Sequence, residues 1–169
     1  MDKDLRPSRN KSLGGNALIA LAILSLVSLS FARCKHTVGG LMLRTGKSFG
    51  MCAGYCFEEW MFTKENTSVT LKSFKDTNRN PQRTVSLSTP PDIWNQIASA
   101  AHMNAMQNLP GRIGCPDCAD GGSEWVELSD GKTSKKVTFE YGKDVPQIHD
   151  LIVAARAARA ALEKSAFPK

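Results

Sequence analysis

The sequence lacks the concentrated positive charge that is typical of nucleic-acid-binding proteins. Its 169 residues include 22 Lys and Arg against 16 Asp and Glu, a modest excess that is spread along the chain. The nearest approach to a basic patch is Lys132, Lys135 and Lys136, which lack interleaved aromatic residues. We therefore expect no nucleic-acid partner and interpret these lysines as solvated surface.

Histidine is also scarce, and the sequence offers no recognisable catalytic set. The three histidines, His36, His102 and His149, fall in different segments, and none stands at a family-specific spacing from a nucleophile. Glu58 and Glu59 are neighbours on a predicted strand, so their side chains point to opposite faces and cannot work as a paired acid and base. We predict no catalytic residue.

Residues 1–32 have the layout of a secretory signal peptide: a basic start, an apolar run at residues 17–31, and small residues before a cleavage site after Ala32. The run has 15 residues, whereas a membrane-spanning helix needs about 20. We therefore predict export to the periplasm or the extracellular space, with no stable membrane span after cleavage. Two alternatives are a membrane anchor through residues 14–32 and a lipid on Cys34, whose basic neighbour disfavours that processing.

The rest of the chain is predicted to form one α+β domain. Residues 33–40 are assigned to a tether, residues 41–164 to the domain and residues 165–169 to a C-terminal tail. Alternating apolar residues predict strands at 41–45, 56–64, 68–74, 84–88, 124–128 and 135–141, with a Gly-rich loop at 46–54 and a turn at 130–132. The expected architecture is an antiparallel β-sheet with two α-helices packed on one face, in the order β-β-β-(β)-α-β-β-α, with the fourth strand at an edge.

Both helices carry start signals. The first is predicted to begin with Thr89 as the capping side chain and Pro90 in the first turn, and to end near Asn108. The last is predicted to be capped by Asp144 and to bury an apolar stripe formed by Ile148, Leu151, Ile152, Ala155, Ala158 and Leu162. Its other side, with Arg156, Arg159 and Lys164, is expected to meet water.

The cysteines are the one group of residues with chemistry of their own. Cys52 and Cys56 are four residues apart, and Cys115 and Cys118 are three apart. In an exported protein the favoured interpretation is two structural disulfides. Four cysteines allow three pairings, and the sequence does not choose among them. A pairing between the two motifs would close a loop of about 60 residues and contribute roughly 4 kcal/mol, more than a local bridge.

Two other interpretations of the same cysteines stay open. Four thiolates at short spacings could hold Zn²⁺, although the first motif has three intervening residues where zinc knuckles have two. Cys115 and Cys118 could instead be a redox dithiol. Gly-rich residues follow Cys118, however, and no helix that would stabilise a thiolate is predicted there.

The motifs resemble a group of small uncharacterised bacterial exported domains of unknown function. The resemblance covers about Leu41 to Leu162 and rests on the stretch Leu41–Thr45, the Cys-x₃-Cys pair with Gly54 and Tyr55 between the cysteines, and the order of elements. Phe57 and Glu58 depart from the Pro and Tyr that commonly follow that pair. The resemblance implies a fold and export, and it implies no catalytic residue.

These observations predict an exported binding or structural module of the cell envelope or periplasm that is not an enzyme. Its partner would be a protein or an envelope component, held by loops fixed on a firm sheet. The candidate binding residues lie in two Cys-containing loops and are Gly54, Tyr55, Asp117, Asp120 and Gly121. The alternatives are a thiol–disulfide oxidoreductase that uses Cys115 and Cys118, and a zinc-stabilised module.

Overall fold

A computed structural model describes residues 40–168 of the chain. The predicted signal peptide, nearly all of the tether, the lipidation candidate Cys34, and His36 lie outside the described residues. In chain order the elements are β1 (Met42–Ser48), β2 (Phe57–Phe62), β3 (Asn66–Lys72), β4 (Arg83–Ser88), α1 (Pro91–Ala100), α2 (Met103–Gln107), β5 (Ser123–Ser129), β6 (Ser134–Glu140) and α3 (His149–Ala166). Single 3₁₀ turns occur at Cys118–Asp120 and Pro146–Ile148.

The strands form one six-stranded sheet in the order β4-β3-β2-β1-β5-β6, in which every neighbouring pair is antiparallel. The predicted α+β class is confirmed. The optional fourth strand exists and lies at an edge, as expected. β1 lies inside the sheet, between β2 and β5. No helix among the described residues is long and apolar enough to cross a bilayer.

The two faces of the sheet differ because strand side chains alternate between them. Leu43, Trp60, Val126 and Val137 point to the face that the helices cover, where they share one apolar core with buried residues of all three helices. The opposite face is polar around a stacked pair of aromatic rings, Phe57 and Trp125, whose centroids lie 5.2 Å apart.

The first helix differs from its prediction in two ways. It is interrupted at Ala101 and His102, so that α1 and the short α2 replace one continuous helix. Thr89 does not cap it: the Thr89 hydroxyl is buried and shares a 2.8 Å hydrogen bond with the hydroxyl of Thr67 on β3. The helix begins one residue later than expected, with Pro90 at the cap position and Pro91 as its first residue.

The last helix also corrects its prediction at both ends. Asp144 caps no backbone amide; its carboxylate lies 2.9 Å from Nδ1 of His149, and a 3₁₀ turn separates it from the helix. At the other end α3 continues to Ala166, two residues into the segment assigned to a tail. The apolar stripe is buried as predicted.

Candidate functional site

Two cysteine-containing loops meet at one end of the sheet. Ser48, the last residue of β1, pairs with Phe57 at the start of β2 and with Ser123 at the start of β5. This register places the β1–β2 loop, residues 49–56, beside the segment that leads into β5, residues 111–122. We call the surface formed by these two loops the disulfide end.

Each loop contains its own cysteine pair at disulfide distance. The Cα atoms of Cys52 and Cys56 lie 5.7 Å apart, and those of Cys115 and Cys118 lie 5.5 Å apart. Of the three pairings that the sequence allows, the structure therefore has the local one. No disulfide joins the two loops, so any contact between them depends on other groups.

Asp117 provides a direct link between the loops. Its Oδ1 accepts a hydrogen bond of 3.2 Å from the backbone amide of Gly50, 67 residues earlier in the chain. Its own amide donates to the carbonyl of Gly122 at 3.0 Å, which closes the second loop on itself. Asp117 is thus the predicted binding residue that brings the two loops together.

Phe49 makes a second contact between the two loops. Its ring meets the ring of Tyr141 edge to face, with centroids 4.9 Å apart, and it packs against Gly122, where a Cβ atom would collide with the ring. Gly122 also has a φ of +81°, in the region that favours glycine. Its position therefore excludes any larger residue for two independent reasons.

The backbone of the second loop is unusual because three non-glycine residues are left-handed. Asp117, Ala119 and Asp120 have φ values of 64°, 50° and 58°. Aspartate tolerates this region better than most residues, whereas alanine gains nothing there to offset the steric cost. The prediction of no regular helix after Cys118 is confirmed, since only a distorted 3₁₀ turn occurs.

The other predicted binding residues are distributed over the same end. Gly54 has a φ of +82° and open space around it. The hydroxyl of Tyr55 donates to the carbonyl of Pro81 at 3.1 Å, which brings the β3–β4 loop, residues 73–82, against the first loop. Asp120 and Gly121 are exposed in the second loop.

Two large apolar side chains are exposed near these loops. Met51 is 61% exposed in the first loop, and Phe74 is 50% exposed at the start of the β3–β4 loop. The β3–β4 loop also approaches the first cysteine-containing loop at Lys75, next to Phe74. Nζ of Lys75 lies 3.2 Å from Sδ of Met51. The disulfide end thus combines apolar side chains with polar loop backbone.

A cavity of about 290 Å³ opens beside the second cysteine pair. Its walls are formed by Cys115, Cys118, Gly121, Gly122, Glu140, Tyr141 and Lys143. Glu140 also accepts a hydrogen bond of 2.9 Å from the amide of Cys115. The last residue of β6 therefore supports the loop that contains the pair.

A buried charge cluster lies behind Tyr141, and sequence analysis missed it. Glu124 is 1% exposed, and its carboxylate accepts hydrogen bonds from Arg156 at 2.7 Å and from Arg159 at 2.5 Å. These two arginines were predicted to face water. For Arg159, whose side chain is only 11% exposed, that prediction is wrong. The Arg156 side chain is 33% exposed, and Lys164, from the same prediction, is exposed.

The cluster also fixes the chain that follows β6. Glu124 accepts from the amide of Gly142 at 3.3 Å, and Arg156 donates to the carbonyl of Lys143 at 2.7 Å. Gly142 and Lys143 follow Tyr141, which contacts Phe49 of the first loop. Glu124 and Arg156 therefore fix the base of the disulfide end from within the core.

Electrostatics within the cluster favour the charged forms. Burial by itself raises the pKa of Glu124, but the hydrogen bonds and charges of Arg156 and Arg159 outweigh it and hold that pKa below its ordinary value. The hydrogen bond to Glu124 raises the pKa of Arg156 in turn. The three groups therefore form an ion triad.

The sequence contains a signal for this cluster. Glu124 alternates with Val126 and Leu128 and so falls on the inward face of its strand. Arg159 stands one helical turn from Ala155 and Leu162, which belong to the buried stripe. A charged residue at an inward position of each element indicates a buried pair.

The described part of the chain contains two of the three histidines, and both lie at one cavity. His102 and His149 line a cavity of about 310 Å³ between the α1–α2 break and the start of α3, together with Asp150 and Gln147. His149 pairs with Asp144. The lining contains no Ser, Thr or Cys that could act as a nucleophile. Glu58 and Glu59 do lie on opposite faces, where they pair with Lys47 and Arg44.

Comparison with known proteins adds no family. The chain matches no family model, and no curated protein matches it. The resemblance to small exported domains stays a prediction.

Proposed function

We propose that this protein is an exported, non-catalytic binding module that holds a protein or an envelope component at its disulfide end. The contact between the two loops through Gly50 and Asp117 is the observation on which the proposal depends. Recognition commonly occurs at loops fixed on a rigid sheet, because a loop that the scaffold already holds in place loses less conformational entropy on binding than a mobile loop does.

The composition of the surface fits a protein partner. Met51 and Phe74 offer exposed apolar area, and the second loop, which contacts the first loop through Asp117, adds exposed polar groups. Apolar contacts inside a polar rim are typical of protein–protein interfaces. The partner that we propose therefore presents an apolar side chain to Met51 and Phe74 and hydrogen-bonding groups to residues 117–121.

Export is supported by the cysteine pairs. Two pairs at disulfide distance are expected of a protein that folds in an oxidising compartment. With the signal-like segment at residues 1–32, they favour the periplasm or the extracellular space. We expect the mature chain to begin at Arg33, which N-terminal sequencing of protein recovered from the envelope or the medium would test.

Site-specific crosslinking tests the binding surface. A photo-reactive amino acid is placed at Met51 or Asp120 in the disulfide end and, as a control, at Lys132 in the β5–β6 turn at the opposite end of the sheet. We expect one discrete crosslinked partner from positions 51 and 120 and none from 132. Equal labelling from all three positions, or none from 51 and 120, would contradict the proposal.

A loop replacement makes the same test more stringent. Residues 49–51 and 53–55 are replaced by Gly and Ser, with Cys52 and Cys56 retained. We expect the crosslink from position 120 to disappear while the protein keeps its circular dichroism spectrum. A crosslink that survives the replacement would show that the first loop takes no part in binding.

One preparation also tests the two other expectations. Metal analysis of the purified full chain, with intact mass before and after reduction and alkylation, distinguishes zinc thiolates from disulfides. Bound zinc with four alkylatable thiols at positions 52, 56, 115 and 118 would establish the zinc-stabilised module. Catalytic oxidation of a dithiol by Cys115 and Cys118 would establish the oxidoreductase.

A further inference from the structure

The two cysteine pairs differ in their access to solvent. Cys56 is 3% exposed and Cys52 is half-buried, so the first pair lies against the sheet. Cys115 and Cys118 are both exposed. Thiol–disulfide exchange requires an incoming thiolate to reach a sulfur atom, and so access alone favours reaction at the second pair.

The backbone around the second pair is strained in its closed form. Asp117, between the cysteines, and Ala119, directly after them, are both left-handed. No non-glycine residue within 52–56 has a positive φ. Opening of the second pair would let Ala119 return to an ordinary conformation, whereas opening of the first pair releases nothing comparable.

The surroundings of the second pair can accommodate a reacting thiol. Cys115 and Cys118 line the cavity of about 290 Å³, and a basic residue, Lys143, and an acidic one, Glu140, line it with them. A nearby cation favours the thiolate that leaves when a disulfide opens. Glu140 holds the amide of Cys115 and keeps that side of the loop attached to the end of β6.

We propose that Cys115–Cys118 is a thiol–disulfide exchange site for an external dithiol, and that Cys52–Cys56 is not. A thiolate of the dithiol attacks one sulfur of the pair, which forms a mixed disulfide and releases the other cysteine as a thiolate. The second thiol of the dithiol loses its proton and displaces the remaining cysteine. The dithiol is oxidised to a disulfide, and the pair is reduced by two electrons and takes up two protons.

Exchange would change the disulfide end. With Cys115 and Cys118 reduced, the loop that holds Asp117 is no longer closed, and the hydrogen bond from Gly50 loses its fixed acceptor. The NMR chemical shift of the Gly50 amide would change when this hydrogen bond is lost. The exchange site goes beyond the proposed binding function and does not depend on it.

Graded reduction of the full chain tests the proposal. The protein is equilibrated with increasing concentrations of dithiothreitol, and free thiols are blocked with N-ethylmaleimide. Mass spectrometry then measures the masses of tryptic peptides 48–64 and 113–132, each of which contains one cysteine pair. We expect peptide 113–132 to open at a dithiol concentration at least about tenfold lower than peptide 48–64, with an unchanged circular dichroism spectrum. Simultaneous opening, or earlier opening of peptide 48–64, would overturn the proposal.

A pair of alanine-to-glycine variants tests the part played by the backbone. Ala119→Gly removes the steric cost of the left-handed conformation at position 119 while the disulfide is closed. The Cys115–Cys118 pair of this variant should therefore need about two- to fivefold more dithiol to open. Ala53→Gly is the matched control in the first loop, where φ is not positive, and it should not raise the dithiol needed there. If Ala119→Gly left the opening concentration unchanged or lowered it, the strain would not contribute.

Discussion

Glu124 connects the core of this protein to its candidate binding surface. A carboxylate that is 1% exposed would be costly alone, because charge is poorly solvated in a protein interior. Arg156 and Arg159 compensate by donating to both of its oxygens. The arrangement also holds the amide of Gly142. The residue therefore has a structural role that reaches the disulfide end.

Loss of the charge at position 124 should destabilise the protein strongly. Glu124→Gln leaves two arginines beside a neutral group, and removal of one partner of a buried ion pair costs about 3 kcal/mol. Urea unfolding followed by tryptophan fluorescence measures the change.

The matched control for this variant lies on the same strand. Glu127→Gln alters the opposite, less enclosed face, where the Glu127 carboxylate lies 3.8 Å from Arg44. Such a partly exposed pair contributes less than about 1 kcal/mol. Equal losses in the two variants would contradict the role assigned to Glu124.

The same carboxylate predicts a dependence of stability on pH. The folded-state pKa of Glu124 lies below its ordinary value of 4.5, so its contribution is complete above the unfolded-state pKa and disappears as pH falls through the folded value. Between about pH 6 and pH 3 the native protein should lose more stability than Glu124→Gln does. Urea unfolding curves of both proteins at each pH give the difference, and parallel losses would argue against it.

Gly46 is the clearest case of a glycine that the packing requires. It lies inside β1, where the ring of Trp125 crosses it, and a Cβ atom would collide with that ring and with the carbonyl of Glu58. Gly46→Ala should therefore cost about 2 kcal/mol through overpacking. In Gly111→Ala, the control, the added methyl would meet only the carbonyl of Lys136 at 3.8 Å. Thermal unfolding compares the stability of the two variants. If Gly46→Ala is as stable as Gly111→Ala, β1 can shift to accommodate the added Cβ atom.

At the scale of elements, most of the fold could be predicted because its signals are local. Alternation identified all six strands, and the apolar stripe identified α3. The extension of β1 to Ser48 could not be predicted, since Gly46 looked like the start of a Gly-rich loop. Only the crossing of Trp125, 79 positions later in the sequence, explains a glycine within that strand.

The candidate site was predictable to a smaller extent for the same reason. The spacing of the cysteines marked both loops, and Asp117 was among the expected residues. That Asp117 reaches Gly50, and that Glu124 reaches Arg156, are long-range facts that depend on strand order. Thr89 shows how a tertiary contact can replace a local one, because its hydroxyl bonds Thr67 where a cap was expected.

The hydroxyl pair of Thr67 and Thr89 allows a double-mutant test of how β3 is joined to the segment between β4 and α1. Thr89→Val leaves the buried hydroxyl of Thr67 without its partner, and we expect a loss of about 1–2 kcal/mol. The double variant Thr67→Val, Thr89→Val removes both hydroxyls and should recover most of that loss. Chemical denaturation of four proteins, the native chain, Thr67→Val, Thr89→Val and the double variant, closes the cycle.

Thr45 on β1 is the natural control for that cycle. Among the described residues its buried hydroxyl has no hydrogen-bond partner. Thr45→Val should therefore be neutral or raise the stability by up to about 1 kcal/mol. A loss in Thr45→Val equal to that in Thr89→Val would mean that threonine shape, and not the hydroxyl pair, determines stability at both sites.

At the scale of the whole molecule, the local pairing of the cysteines determines how the disulfide end is held together. A bridge across three or four residues contributes about 2 kcal/mol in the chain-entropy model, well below the contribution of a bridge between the loops. Non-covalent contacts must therefore join the loops, chiefly the Asp117–Gly50 hydrogen bond and the packing of Phe49 against Gly122 and Tyr141. The contact between the two loops can therefore be lost without cleavage of a covalent bond.

Peptide mapping under non-reducing conditions tests this pairing directly. Trypsin should release peptides 48–64 and 113–132, each with two cysteines. If Cys52 bonds Cys56 and Cys115 bonds Cys118, each peptide appears alone, two hydrogen masses lighter than its reduced form. A species that contains both peptides and separates on reduction would establish a bridge between the loops. In that case the Asp117–Gly50 hydrogen bond would be a secondary contact, because a covalent bond would already hold the disulfide end together.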